Sequence, residues 1–195
     1  MKQQIITWLE RLWRRQPGRN RRRRGSGPVL ISVLVIGTFG VLRLFREADA
    51  PLPPPGAELA CVVAGIHDGD TLTARCDEGK ITVRVFGIDA PEMGQKPWGA
   101  YSRDLLSRMM PVGKVGLQVT DIDRYGRVVA RVMDGGRDLG LSLVRQGGAV
   151  VYERYNKSKD YRRAQADAKR ERVGVWSQPG AHQTPWQWRR LNPRS

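Results

Sequence analysis

Beyond residue 58 the apolar positions recur with a period of two. Leu59–Ile66, Thr71–Cys76, Ile81–Ile88, Val115–Thr120 and Val128–Met133 follow this period for the most part between clusters of Asp, Gly and Glu, with Val128, Ala130 and Val132 alternating against Arg127, Val129 and Arg131. Such alternation predicts strands with one face turned to a core. Three segments break the rhythm. Trp98–Met110 sets Tyr101, Leu105 and Met109 at four-residue intervals, and Asp138–Gln146 groups Leu139, Leu143 and Val144 before Gly147 and Gly148. Ser158–Arg172 is charged nearly all round, with Tyr161, Ala164 and Ala168 as a narrow apolar stripe. These spacings predict helices, with the glycine pair as a stop signal. Five short strands with a helix after the third predict an α+β domain, a small barrel with three helices packed on it.

The N-terminal part follows another pattern. Val29–Phe45 reads VLISVLVIGTFGVLRLF, preceded by Arg21–Arg24 and followed by Glu47 and Asp49. A span needs about 17–25 apolar residues, and Arg43 near one end can extend its head to the interface. The segment is expected to be a transmembrane helix at residues 29–45, in contact with the lipid bilayer. The positive-inside bias then leaves the basic residues 1–28 in the cytoplasm and the rest periplasmic or extracellular. The competing expectation is cleavage of a signal near Ala50 and secretion, since Ala48-Asp49-Ala50 has the small-x-small form. Ile5–Trp13 fits either a basic helix lying on the inner leaflet or a basic tail. Residues 46–57 contain APLPPPG and are expected to form a stiff, extended, unpacked linker. The folded domain is expected over 58–178, with an irregular tail over 179–195.

Charge changes this picture little. The net charge of +15 favours a polyanionic partner. Yet residues 1–27 hold Lys2 and eight arginines against Glu10 alone, more than half of the excess. The folded domain is only moderately basic.

The two cysteines are Cys61 and Cys76. If the first two strands form a hairpin closed by His67-Asp68-Gly69-Asp70, facing residues have numbers that sum to 137, as Ile66 and Thr71 do. Cys61 and Cys76 share that sum, so in an oxidising compartment the pair could bridge. The alternative is two small buried hydrophobes.

Acidic and basic residues gather at strand ends: Asp68-Gly69-Asp70-Thr71, Arg84, Ile88-Asp89-Ala90-Pro91-Glu92 and Asp123-Arg124-Tyr125-Gly126-Arg127. Carboxylates converging from two loops make a hard-oxygen site for Ca²⁺ or Mg²⁺, and zinc spacings are absent. Taken in order, VVAGIHDGDT, TVRVFGIDAPE, DRYGR, LVRQGGA and KRERVGVWS resemble the staphylococcal-type thermonuclease family over roughly residues 59–178.

The resemblance implies a five-stranded OB-type barrel with three helices and a Ca²⁺-dependent phosphodiesterase acting on DNA and RNA with little base preference. It implies Asp70 and Asp89 as metal ligands, with the main-chain carbonyl of Ala90, where the family often has threonine. It implies Glu92 as the general base and Arg84 and Arg127 as the phosphate-gripping pair. Tyr125, Tyr152 and Tyr155 are expected to meet nucleotides, although the local spacing around the last two departs from the family's. A monomer without a protein partner is expected. The other reading is an OB-fold module that binds nucleic acid or protein without catalysis. The full polar set argues against it, because binding alone needs no base.

Overall fold

The computed structural model describes residues 51–110 and 113–193. The expected span at 29–45 lies outside them, as do the basic N-terminus and the region of signal cleavage. Among the described residues no helix is long and apolar enough to cross a membrane.

The chain runs through β1 (Glu58–Ile66), β2 (Thr71–Cys76), β3 (Gly79–Val85) and β4 (Ile88–Asp89) to helix α1 (Trp98–Arg108). It continues through β5 (Lys114–Ile122), β6 (Val128–Asp134), β7 (Arg137–Asp138), α2 (Leu139–Arg145), β8 (Val150–Val151) and α3 (Lys159–Arg170). Two 3₁₀ turns, Gly174–Ser177 and Ala181–Gln183, lead to a last helix, α4 (Pro185–Leu191). The strand order is β3-β2-β1-β5-β6, and parallel pairing of β3 with β6 closes the five strands into a barrel. Closure removes both free edges.

Alternation decides which side chains fill it. Leu72, Ala74, Ile81, Val83, Val85, Leu117, Val119, Val128, Ala130 and Val132 are buried. Full burial of a Val or Leu side chain contributes about 1.5–3 kcal/mol. The helices cover the barrel with the stripes expected of them: Leu105 and Met109, Leu139 with Leu143 and Val144, and Tyr161 with Ala164 and Ala168 are buried. Helix α3 carries Asp160 in its first turn and Lys169 and Arg170 in its last, matching the helix dipole. Asp138 ties this layer together. Its carboxylate caps α2 by accepting from the Leu141 N–H, accepts the Tyr161 hydroxyl at 2.8 Å, and pairs with Arg131 at 2.9 Å.

Three expectations need correction. Ile81–Ile88 is not one strand. Gly87 takes a φ of +72°, which a residue with a Cβ rarely adopts, and the chain turns there. Asn156 packs into the space a Cβ would fill, and β4 leaves β3 to pair with β8. The end of the linker is also not free of the domain. The Gly56 N–H donates to the Val119 carbonyl and the Val119 N–H to Ala57, extending the β1–β5 pairing beyond Glu58. Finally, the tail after 178 is ordered into α4, with Pro185 buried at its first turn, where a missing N–H costs nothing.

Cys61 and Cys76 are joined by a disulfide, with Cα atoms 4.3 Å apart. The hairpin reaches this pairing by an unexpected route. Ile66 faces Leu72, not Thr71, so the turn is one residue longer than the four assumed. A bulge at Ala64 then restores the register, and Val63 faces Ala74 and Val62 faces Arg75.

Candidate active site

The β1–β2 turn, the end of β3, the β4 loop and the start of β6 meet at one end of the barrel. Register brings them there: Thr71 faces Arg84 across β2–β3, and Val83 faces Val128 across the closing seam. Asp70 and Arg127 are the chain neighbours of Thr71 and Val128, so both reach the same rim.

The turn carrying Asp70 is built to be tight. Asp68 Oδ1 accepts from the Asp70 N–H at 2.9 Å, and the His67 and Asp68 N–H groups donate to the Thr71 carbonyl. Gly69 lies against α1 and the β4 loop, and a Cβ there would sit 2.8 Å from that of Ala90 and collide with Ser102. His67 is structural, with Nε2 2.7 Å from the Thr73 hydroxyl oxygen.

Asp70 is buried and fully engaged. Its Oδ2 accepts from the Ala90 N–H at 2.7 Å, its Oδ1 accepts from the Thr71 hydroxyl at 3.1 Å, and it pairs with Arg84. Arg84 also donates to the Ile88 carbonyl at 3.0 Å and lies 3.6 Å from Asp89. Burial lowers the pKa of Arg84, opposed by the carboxylates of Asp89 and Asp68, with Arg127 and Arg189 lowering it further. The group is therefore a cation held among its counterions.

Asp123 grips Arg127. Its carboxylate accepts from Arg127 Nε at 2.7 Å and from the Arg127 backbone N–H at 3.0 Å. That leaves Nη1 directed at the Thr71 hydroxyl, 3.5 Å away, on the Asp70–Arg84 side of the rim. Burial raises the Asp123 pKa, but hydrogen bonds from the Arg127 and Tyr125 N–H groups and the Arg127 side chain outweigh it and hold the acid below its ordinary range.

Glu92 is positioned by a residue that motif reading missed. Gln95 Oε1 accepts from the Glu92 N–H at 2.6 Å, while the Gln95 N–H donates to the Glu92 carbonyl at 2.8 Å. Gln95 is buried, and Gly99 lets the first turn of α1 press against the Glu92 and Met93 backbone.

A second missed residue enters from α4. Arg189 Nη2 donates to Asp89 Oδ2 at 2.8 Å, and Nη1 reaches Asp89 Oδ1 at 3.1 Å and Glu92 Oε1 at 3.0 Å. Those hydrogen bonds, chiefly to Asp89, raise the Arg189 pKa against the opposing effect of burial. Among the described residues no three Asp, Glu, His or Cys side chains stand assembled to hold a metal.

The tyrosines lie around this rim. Tyr125 is 69% exposed on the β5–β6 turn, with the Arg124 and Arg127 guanidinium groups 4.8 and 5.6 Å from its ring centre. Tyr152 follows β8 and donates its N–H to the Gly87 carbonyl, next to β4. It packs edge-on against Tyr155, ring centres 5.0 Å apart, and both are exposed.

The chain is similar to known proteins over most of its length. The sequence is 34% identical to a micrococcal nuclease of Shigella flexneri over 150 residues, covering 71% of this chain and 85% of that one. The chain belongs to the staphylococcal nuclease family. The family's own description, Staphylococcal nuclease homologue, matches residues 82–178, from β3 through the first 3₁₀ turn. Another member, an uncharacterized endonuclease of Haemophilus influenzae, is 37% identical over 131 residues, 67% of this chain and 72% of that protein. A staphylococcal-like nuclease of Arabidopsis thaliana is 31% identical over 111 residues, 57% of this chain and 34% of its own length. For a member of this family, the closed five-stranded barrel with flanking helices is the OB-type arrangement.

Proposed function

We propose that this protein is a Ca²⁺-dependent phosphodiesterase that hydrolyses DNA and RNA at the rim formed by Asp70, Arg84, Asp89, Glu92 and Arg127. The observation that carries the reading is the convergence of three acids and two arginines from separate strands and loops, in a chain whose relatives are named nucleases.

The donors fit a hard cation. Asp70, Asp89 and the Ala90 carbonyl offer oxygen only, the donor type a hard cation prefers, and the Arg189 guanidinium already brings positive charge to Asp89 and Glu92. When bound there, Ca²⁺ supplies Lewis-acid polarisation of a phosphoryl oxygen.

The chain's own groups do the rest. Water adds to phosphorus, Glu92 takes its proton, and the P–O ester bond to the leaving oxygen breaks, that oxygen gaining a proton from solvent. Arg84 and Arg127 hold the phosphate from two sides and offset the extra negative charge of the five-coordinate state. Guanidinium forks suit this because they bind phosphate oxygens bidentately. Asp123 is a positioning residue that aims Arg127. Stacking of bases on Tyr125, Tyr152 and Tyr155 would be tolerant of sequence, which supports action on both DNA and RNA.

The setting is part of the proposal. A disulfide is suited to an oxidising compartment. Together with the apolar segment 29–45, it supports a single-pass anchor in the lipid bilayer, a cytoplasmic N-terminus and a domain outside the cytoplasm.

The test is incubation of the full chain with single-stranded DNA and with RNA, in Ca²⁺ and then in EDTA. Cleavage of both that EDTA abolishes is expected. Binding without cleavage would instead identify a non-catalytic binding module.

A further inference from the structure

Arg189 holds Asp89, a carboxylate that the proposed cation would also need. It engages both oxygens of Asp89 and one of Glu92, three of the oxygens on which the rim's chemistry depends. A divalent cation on Asp89 and this guanidinium need the same lone pairs, and their charges repel.

The segment that delivers Arg189 is built differently from the barrel. Helix α4 spans seven residues, begins at the buried Pro185 and follows a short 3₁₀ turn. Trp188 supplies a second hold: a Cβ on Gly94 would lie 2.9 Å from its ring, so the glycine makes room for the indole on the loop that carries Glu92. The Arg189 side chain is 39% exposed, against 5% for its partner Asp89. One side of the ion pair is therefore fixed in the protein and the other is open to water.

We propose that α4 is a reversible plug, in which Arg189 substitutes for the cation in the resting protein and must leave before the cation binds. This rests on the cation-binding reading of the rim given above. Charge supports the exchange. A divalent ion brings twice the charge of the guanidinium to the same oxygens, so the cation can displace the plug. Mutual exclusion makes the coupling reciprocal: whatever favours the closed plug weakens apparent affinity for the cation in proportion to the fraction closed.

The experiment uses the full chain, purified in detergent, with CaCl₂ as the probe. Calorimetry compares wild type with Arg189→Ala and Trp188→Ala, and hydrogen exchange follows Pro185–Leu191 with and without saturating Ca²⁺. The expected result for Arg189→Ala is Ca²⁺ binding tighter by about tenfold, the ratio set by a plug closed nine times in ten. Trp188→Ala, which keeps the charge and removes the indole, is expected to shift affinity the same way by less. In wild type, Ca²⁺ is expected to speed exchange in α4. Equal dissociation constants in wild type and Arg189→Ala, or slower exchange in α4 with Ca²⁺, would overturn the plug while leaving the cation site standing. Failure of every protein to bind Ca²⁺ would overturn the cation reading and the plug together.

Discussion

Arg84 and Arg189 reach the same carboxylate, Asp89, by different means. Arg84 stands on a barrel strand, its position set by backbone pairing with Thr71 on one side and Val129 on the other. Arg189 stands on a seven-residue helix outside the barrel and is held by side-chain ion pairs and one indole contact. Moving Arg84 requires breaking a sheet. Moving Arg189 requires exchanging one set of charged partners for another, which water and ions can do. The site thus combines permanent and exchangeable positive charge, and only the permanent part is written into the barrel's register.

The sharpest way to break this contrast is to remove, one at a time, the charged groups that the barrel and its loops hold at the rim. Arg84→Ala, Arg127→Ala and Glu92→Gln are each expected to lower kcat by about 10²–10³, the usual loss for one electrostatic or proton-transfer group of this kind. Steady-state cleavage of single-stranded DNA by folded variants checks it, and near-wild-type rates would refute these roles. Next in size is the disulfide. Reduction, or Cys61→Ala with Cys76→Ala, is expected to cost about 3 kcal/mol in urea unfolding, the chain-entropy value for a loop of this length. Gly69→Ala tests whether the Asp70 turn is fixed by packing. Its Cβ meets Ala90 and Ser102, so a loss of about 1–3 kcal/mol is expected from the same unfolding curves, as for other overpacked sites.

The smallest effect concerns Asp123. Its folded pKa is depressed, so its stabilising contribution is complete above the unfolded value of 3.8 and disappears as pH falls through the lower folded value. Asp123→Asn should therefore flatten the acid limb of stability below that pH and lower stability above it. Urea midpoints across pH 2–7, at roughly half-unit steps, read this out; an unchanged acid limb would show that Asp123 does not stabilise the folded state through Arg127.

Much of the barrel and its rim was legible because its information is local. Alternation along β2, β5 and β6 announces which face is buried, and Gly69 and Gly126 punctuate the turns beside Asp70 and Arg127. The break at Gly87 was harder to foresee. Ile81–Val85 alternates, but Phe86-Gly87-Ile88 breaks the rhythm, and where the chain goes after Gly87 is set by the pairing of β4 with β8, some sixty residues away. Gln95 and Arg189 were invisible for another reason. One is an ordinary glutamine whose role depends on burial, and the other is one arginine among many in a tail of Trp, Pro and Arg. Pro185 was the available signal for a helix start, but nothing local says where that helix docks. Arg189 meets Asp89 across 100 positions of sequence.

The bulge at Ala64 has a genetic consequence. The longer turn and the bulge are opposite frame shifts in one strand, and Cys61 meets Cys76 only because they cancel. Deleting Ala64 alone would remove the bulge and leave Gly65 opposite Thr73 and Val63 opposite Ala74, so the sulfurs would still meet. Deleting one turn residue alone can be taken up in the same way, with Gly65 moving opposite Leu72 and Ala64 opposite Thr73 while Val63 keeps Ala74. The bulge therefore acts as a buffer for one lost residue, whereas inserting one residue between Val62 and Val63 would set Val62 opposite Cys76, turn Cys61 to the other face and abolish the disulfide.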